Sequence, residues 1–276
     1  EKILKMTMQE FKIKSILNKK NAKTAIVVST GPSLTKQIPL LKKIKDHITI
    51  ISVDASFPIL AKHGIKPDFV TALERIPETA NFFNNSTKEM QEDVIFVFAS
   101  VVDKATEAAI KAGHLMLEMR AHEYTRYFEL DDFGYIGVGM SSANLAHELA
   151  ISMRYEQVLL IGQDLAFGED DNSHADDHFF GVNEESINNS DLTIEKYGGG
   201  GEVKTTFYWK LFKNFFETTI GQSKDFITTI NCTEGGALIP GAVEMSFKDA
   251  IAKFVDITKK AKKLIEPEYA TRSEEH

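Results

Sequence analysis

The sequence predicts a doubly wound α/β fold built on a mainly parallel sheet, and three observations point to it. Short apolar runs rich in β-branched residues alternate with helical patterns. Most of the runs are apolar at every position, as expected of strands covered by helices on both faces. Their spacing is that of repeated βαβ units. The runs read as strands are residues 25–29, 48–53, 69–72, 94–98, 115–119, 157–161 and 226–230, with helical stretches at 36–45, 56–63, 103–112 and 141–153.

Taken in order, the first ~20 residues are basic and helix-prone and read as a connecting helix. Residues 21–265 form the α/β domain, and 266–276 are a tail or the start of a further region. The chain begins at Glu1 rather than Met, so it is read as a piece of a longer protein. One segment breaks the rhythm: residues 164–204 carry clustered acids, Asn188-Asn189 and the glycines 198–201. A stretch of about 40 residues without a clear element is unusual in a compact domain, and such loops are often lids or binding loops. It is expected to border the active site. The aromatic residues that follow, Phe207, Tyr208, Trp209, Phe212, Phe215 and Phe216, have helical spacing and read as core or domain interface rather than as a substrate platform.

Composition narrows the function classes. The 276 residues are 43% hydrophobic and 26% charged, ordinary values for a folded globular chain. Lys+Arg 32 against Asp+Glu 40 gives a net charge of -8, which argues against nucleic acid or an anionic membrane as partner. The longest apolar run, residues 94–102, is about half of what a membrane-spanning helix needs. The first residues are too charged for a signal peptide. A single cysteine, Cys232, agrees with a reducing compartment, so a cytoplasmic location is expected.

The chemistry is expected at the carboxyl ends of the strands. The turn Thr30-Gly31-Pro32-Ser33 lies between the first strand and a helix, where free backbone N–H groups attract phosphate. Gly31 would admit a ligand closely, and Ser33 would cap the helix while donating to a phosphate oxygen. This is neither a GxGxxG nor a Walker A loop. Asp54 ends the second strand, placed for ribose hydroxyls or for a helix N-cap, and Glu74 follows the third. Gly137 to Ser142 again offers small residues before a helix, including Gly137 and Ser141, suited to a ligand or to close packing. Gln163 and Asp164 open the long loop; Asp164 could bind sugar hydroxyls or a divalent ion, or cap a turn. Within the loop, His174 is the first candidate general base and His178 the second. The acids around them invite a metal, but familiar zinc spacing is absent and no metal site is predicted. Thr233 and Glu234 follow the last strand at the same sheet edge; Cys232 has no adjacent histidine and is not read as a nucleophile.

Three segments in this order, GPSL at 31–34, LIGQDLAFGED with SHA at 160–175, and NCTEGGALIPGA at 231–242, resemble the central domain of the motility accessory factor (Maf) flagellin glycosyltransferases. The resemblance covers residues 21–245 and implies a Rossmann-like fold similar to bacterial sialyltransferases. It further implies transfer of a nonulosonic acid, pseudaminic or legionaminic acid or a relative, from its CMP-sugar to Ser or Thr of flagellin, without a required cofactor. Those sialyltransferases carry asparagine where this chain has Thr30 and Asp54. The implied roles are Ser33 on the CMP phosphate, Asp54 on the ribose, Glu74 on neighbouring donor groups, Asp164 and Gln163 on the sugar, and His174 as base. The same domain family includes MptE-like proteins that resemble hydroxymethylpterin pyrophosphokinases. In that reading Asp54 and Asp164 would hold a magnesium–nucleoside triphosphate. A non-catalytic flagellin-binding factor is the third reading.

Overall fold

The computed structural model describes residues 13–119, 139–189 and 191–261, with isolated positions between 127 and 137. The expected tail and most of the expected N-terminal helix lie outside the described residues; within that helix, Ile13–Ser15 form a single 3-10 turn. Eight strands make one parallel sheet: β1 Thr24–Val28, β2 Thr49–Val53, β3 Phe69–Ala72, β4 Ile95–Ala99, β5 His114–Glu118, β6 Gln157–Ile161, β9 Thr228–Asn231 and β10 Val243–Glu244. The order is β10-β9-β6-β1-β2-β3-β4-β5. All seven expected strands are present, with ends displaced by three residues or fewer. A two-stranded antiparallel hairpin, β7 Thr193–Glu195 with β8 Glu202–Lys204, stands apart from the sheet.

The helices are α1 Leu34–Ile44, α2 Phe57–Lys62, α3 Asn81–Asn84, α4 Lys88–Gln91, α5 Lys104–Ala108, α6 Ser142–Ser152, α7 Phe207–Ser223 and α8 Phe247–Phe254. Strand alternation sends side chains to opposite faces. Ala25 and Val27 of β1 pack with Leu145, Leu149 and Phe216 of α6 and α7. Ile26 and Val28 pack on the other face with Leu34, Leu41 and Phe247 of α1 and α8. A third apolar cluster under β3 to β5 stacks Phe57, Phe83, Phe96 and Phe98, with ring centroids 5.6–6.0 Å apart. Edge-on pairs of this kind add to the area the rings remove from water.

Two expectations need correction. The segment 164–204 is not element-free: it holds the β7–β8 hairpin and a 3-10 turn at Ile187–Asn189. Alternation over three residues is too short a pattern to stand out among charges. The aromatic segment divides by helix face. Phe216 is fully buried and Trp209 and Phe212 pack on the core, whereas Phe207 and Tyr208 are exposed at one end of α7. No helix among the described residues is long and apolar enough to cross a membrane.

Candidate functional site

The strand order reverses direction at β1: the chain builds β2 to β5 on one side of it and β6, β9 and β10 on the other. In open α/β sheets the crevice beyond the carboxyl ends at such a switch point is where ligands bind. Three segments meet there. After β1, Ser29 N–H still donates to the Ile161 carbonyl (3.0 Å) and Gly31 N–H to that of Gly162 (2.7 Å). After β6, Gly162 N–H donates to Gln37 Oε1 (3.0 Å), and Gln37 Nε2 in turn donates to the Cys232 carbonyl beyond β9. Gln37 thus ties the ends of β6 and β9 together. Its α1 position hid that role from sequence reading.

Asp164 is the centre of this junction. Its carboxylate accepts from Ser33 N–H (3.2 and 3.3 Å) and from Ser33 Oγ (2.7 Å). Burial pushes its pKa up to about 6 against the opposing pull of these bonds. The arrangement revises the expected phosphate cradle. Ser33 does not cap α1 with its side chain; its hydroxyl and amide both serve Asp164. A carboxylate already occupies the positive end of α1, where a bare phosphate would meet like charge. Gly31 is needed for the same reason, since a Cβ there would lie 2.1 Å from Asp164 Oδ2 and 2.7 Å from the Gly162 carbonyl. It makes room for Asp164 rather than for a ligand.

The crevice opens into a cavity of about 1010 Å³, at the upper end of small-molecule sites. Of the expected residues, Pro32, Ser33, Asp164, His174, Thr233 and Glu234 line it. Four lysines that sequence reading missed also line it: Lys36 on α1, Lys196 and Lys204 on the hairpin, and Lys248 on α8. They come from three distant segments, so no local pattern announces them. Among the described residues, six acids line it as well: Asp164, Glu169, Asp170, Asp171, Asp176 and Glu234.

Several expected residues spend their polar atoms on structure. Gln163 Oε1 accepts from buried Ser29 Oγ (2.6 Å). Thr233 Oγ donates within its own turn to Asn231 Oδ1 (2.7 Å), and Glu234 Oε1 accepts from Phe247 N–H (2.8 Å) at the start of α8. The Thr30 carbonyl accepts from Ala175 N–H (2.8 Å), which pins the long loop to the β1 turn. Asp176 N–H to Thr35 Oγ (3.0 Å) and the contacts of Asp177 with Lys62 (2.5 Å) and His63 (3.0 Å) fasten it further. The loop borders the cavity as expected, but it is stitched to α1 and α2.

Asp54 and Glu74 are not in this cavity. Asp54 Oδ1 accepts from Ala55 N–H (2.8 Å) and Oδ2 from Ser142 Oγ (3.0 Å), and burial raises its pKa to about 7 with Glu74 adding repulsion. Ser142 fills the place expected of Ser141, whose hydroxyl instead caps α6 by accepting from Asn144 N–H (3.2 Å). Gly137 approaches Glu148, where a Cβ would sit 2.7 Å from its carboxylate; Val138 lies outside the described residues. Asp54, Glu74 and Ser142 form a second polar cluster at the end of β2. His174 lines the cavity, but burial and the neighbouring His178 hold its pKa down near 3, which makes it a weak base.

Comparison with known proteins agrees with this architecture. A solved Maf glycosyltransferase from Magnetospirillum magneticum AMB-1 superposes with a TM-score of 0.64 at 17% identity, covering 87% of this chain and 39% of that one. Likeness at that identity shows the fold. The chain therefore spans about two-fifths of that neighbour's length. An uncharacterised protein of Treponema pallidum (strain Nichols) is 36% identical over 50 residues, 18% of this chain and 24% of the relative. A family model described as 6-hydroxymethylpterin diphosphokinase MptE-like matches residues 2–170, more than half of the chain. With its parallel sheet and its crevice at the β1/β6 reversal, the chain belongs to the MptE-like family.

Proposed function

We propose that this chain is a glycosyltransferase domain that moves a nonulosonic acid, of the pseudaminic or legionaminic type, from its CMP-sugar to Ser or Thr hydroxyls of flagellin. The observation that carries the reading is the 1010 Å³ switch-point cavity, lined by Lys36, Lys196, Lys204 and Lys248 together with the buried carboxylate of Asp164 and further acids. The fold shared with a Maf glycosyltransferase supports the transferase class. In this reading Lys36, Lys196, Lys204 and Lys248 are the lining groups that meet the donor's phosphate and sugar carboxylate, and Asp164 keeps the phosphate off the end of α1.

Asp164 takes the base role in place of His174. With a pKa near 6 it is ionised at neutral pH and more basic than an ordinary carboxylate. The acceptor hydroxyl oxygen bonds to the anomeric carbon, its proton passes to Asp164, and CMP leaves with the electrons of the broken bond.

A pyrophosphokinase is the second reading, favoured by the family match and by the same carboxylate. A nucleoside triphosphate carrying magnesium would meet Asp164 without like-charge repulsion, the ion supplying charge neutralisation. Calorimetric titration separates the readings. The transferase reading expects saturable CMP binding that Lys36→Ala weakens about tenfold or more and that Asp54→Asn leaves unchanged. Binding only to ATP with magnesium replaces it with the kinase, and silence toward both leaves a flagellin-binding factor.

A further inference from the structure

The loop holds a second constellation beside the cavity. His174 and His178 stack face to face, ring centroids 4.1 Å apart at an interplanar angle of 21°. Both turn a nitrogen toward one carboxylate oxygen: His174 Nε2 lies 3.7 Å and His178 Nδ1 3.6 Å from Glu184 Oε2. These separations are too long for hydrogen bonds. His178 Nδ1 is buried without a hydrogen-bond partner, on a side chain only 1% exposed.

Ser173 holds the His174 ring. Its Oγ lies 2.8 Å from His174 Nδ1 and 3.0 Å from the Val182 carbonyl, and it accepts from Glu185 N–H (3.1 Å). In the tautomer in which His174 Nδ1 donates to Ser173 Oγ, Nε2 carries the lone pair that faces the Glu184 carboxylate.

The geometry points to a divalent transition-metal site, Zn²⁺ by its donor set, held by His174 Nε2, His178 Nδ1 and a Glu184 carboxylate oxygen, with a fourth position left to water. Tetrahedral zinc with bonds of about 2.0–2.2 Å places its ligand atoms roughly 3.3–3.6 Å apart. The observed 3.6 and 3.7 Å lie close to that range and all three ligand atoms lie within 4.8 Å of one another, while the stacked imidazoles must rotate about their side-chain bonds for both in-plane lone pairs to meet one ion. Two imidazoles and one carboxylate with an open position match the ligand type of catalytic rather than closed structural zinc. The Ser173 bond to His174 Nδ1 supplies the outer contact that orients such a ligand.

The framework is already in place. Ser173 and His174 N–H groups both donate to the Val182 carbonyl (2.8 and 3.1 Å), which brings Glu184 back over the histidines. Gly181, at φ 91°, makes the turn between. Sequence reading passed over the site because the third ligand lies in an unremarkable Asn183-Glu184-Glu185 stretch and the usual cysteines are missing.

The test is titration of the whole chain with Zn²⁺ alone by calorimetry, and with Co²⁺ followed by its visible absorption. It reads metal directly and holds whichever nucleotide the cavity takes. One equivalent per chain with a tetrahedral Co²⁺ spectrum is expected. Glu184→Gln, at a half-exposed position that tolerates change, and Ser173→Ala should each lower affinity on the order of 10–100-fold. The pair Asp170→Asn and Asp171→Asn should leave it unchanged. Absence of stoichiometric binding, or binding lost in the aspartate pair but kept in a folded Glu184→Gln variant, overturns the site.

Discussion

Replacing Asp164 by Asn tests whether the centre of the crevice is held at a cost to stability. Burial raises the folded pKa of Asp164 from 3.8 to about 6. The folded chain therefore binds this proton more tightly than the unfolded one, and stability from this group falls as pH rises from about 4 to about 6, then levels off. A shift of roughly two pKa units corresponds to about 3 kcal/mol. Asn keeps the shape, accepts from Ser33 N–H with its oxygen and no longer carries the charge. The expected result is an Asp164→Asn chain more stable than the parent by up to about 3 kcal/mol at pH 8, or roughly 6–12 °C in Tm for a domain of this size. At pH 4 the gain should vanish. The assay is thermal unfolding followed by circular dichroism across pH 4 to 8, run in parallel with the transferase assay, in which the variant should be inactive. A variant that is less stable at pH 8, or whose gain does not change with pH, would refute the argument that desolvation of the charge outweighs its bonds to Ser33.

Other perturbations follow from the same geometry. Gly31→Ala drives a Cβ to 2.1 Å from Asp164 Oδ2, so it should cost about 2–3 kcal/mol and halve or worse the affinity for nucleotide, read by denaturant titration and calorimetry. Asp54→Asn relieves a carboxyl whose pKa is raised to about 7, and should stabilise the chain by up to about 4 kcal/mol at pH 8 but not at pH 4, again by thermal unfolding. His147 is fully buried on α6, its ring 2.9 Å from Thr229 Oγ, and burial lowers its pKa to about 4. The unfolded chain then binds that proton first, so about 3 kcal/mol of stability should be lost as pH falls from 6.5 toward 4, and a His147→Gln variant should lack that part of the profile.

How far the site could be read from sequence depended on distance along the chain. The turn after β1 and the polar residues after β6 were legible because a strand-to-helix turn has local chemistry, and both segments do face the crevice. Their roles were not legible. Ser33 and Asp164 are 131 residues apart, and nothing in either segment says that one will donate hydrogen bonds to the other. Asp54 and Glu74 looked like partners in the same site because all parallel strands end at one edge. Position across the sheet instead gave them a separate neighbourhood with Ser142.

By itself, the sequence determined the parallel sheet and the edge that carries the chemistry, because continuous apolar runs such as Ile95–Ala99 can be satisfied only by helices on both faces. Tertiary structure alone decided which polar groups meet. The crossing at β1 brings Asp164 to the end of α1, and the turn at Gly181 returns Glu184 to His174 and His178. The physical reason is that hydrophobic periodicity is a short-range property written in each segment. Charge pairing, burial and pKa depend on neighbours that only the folded chain supplies.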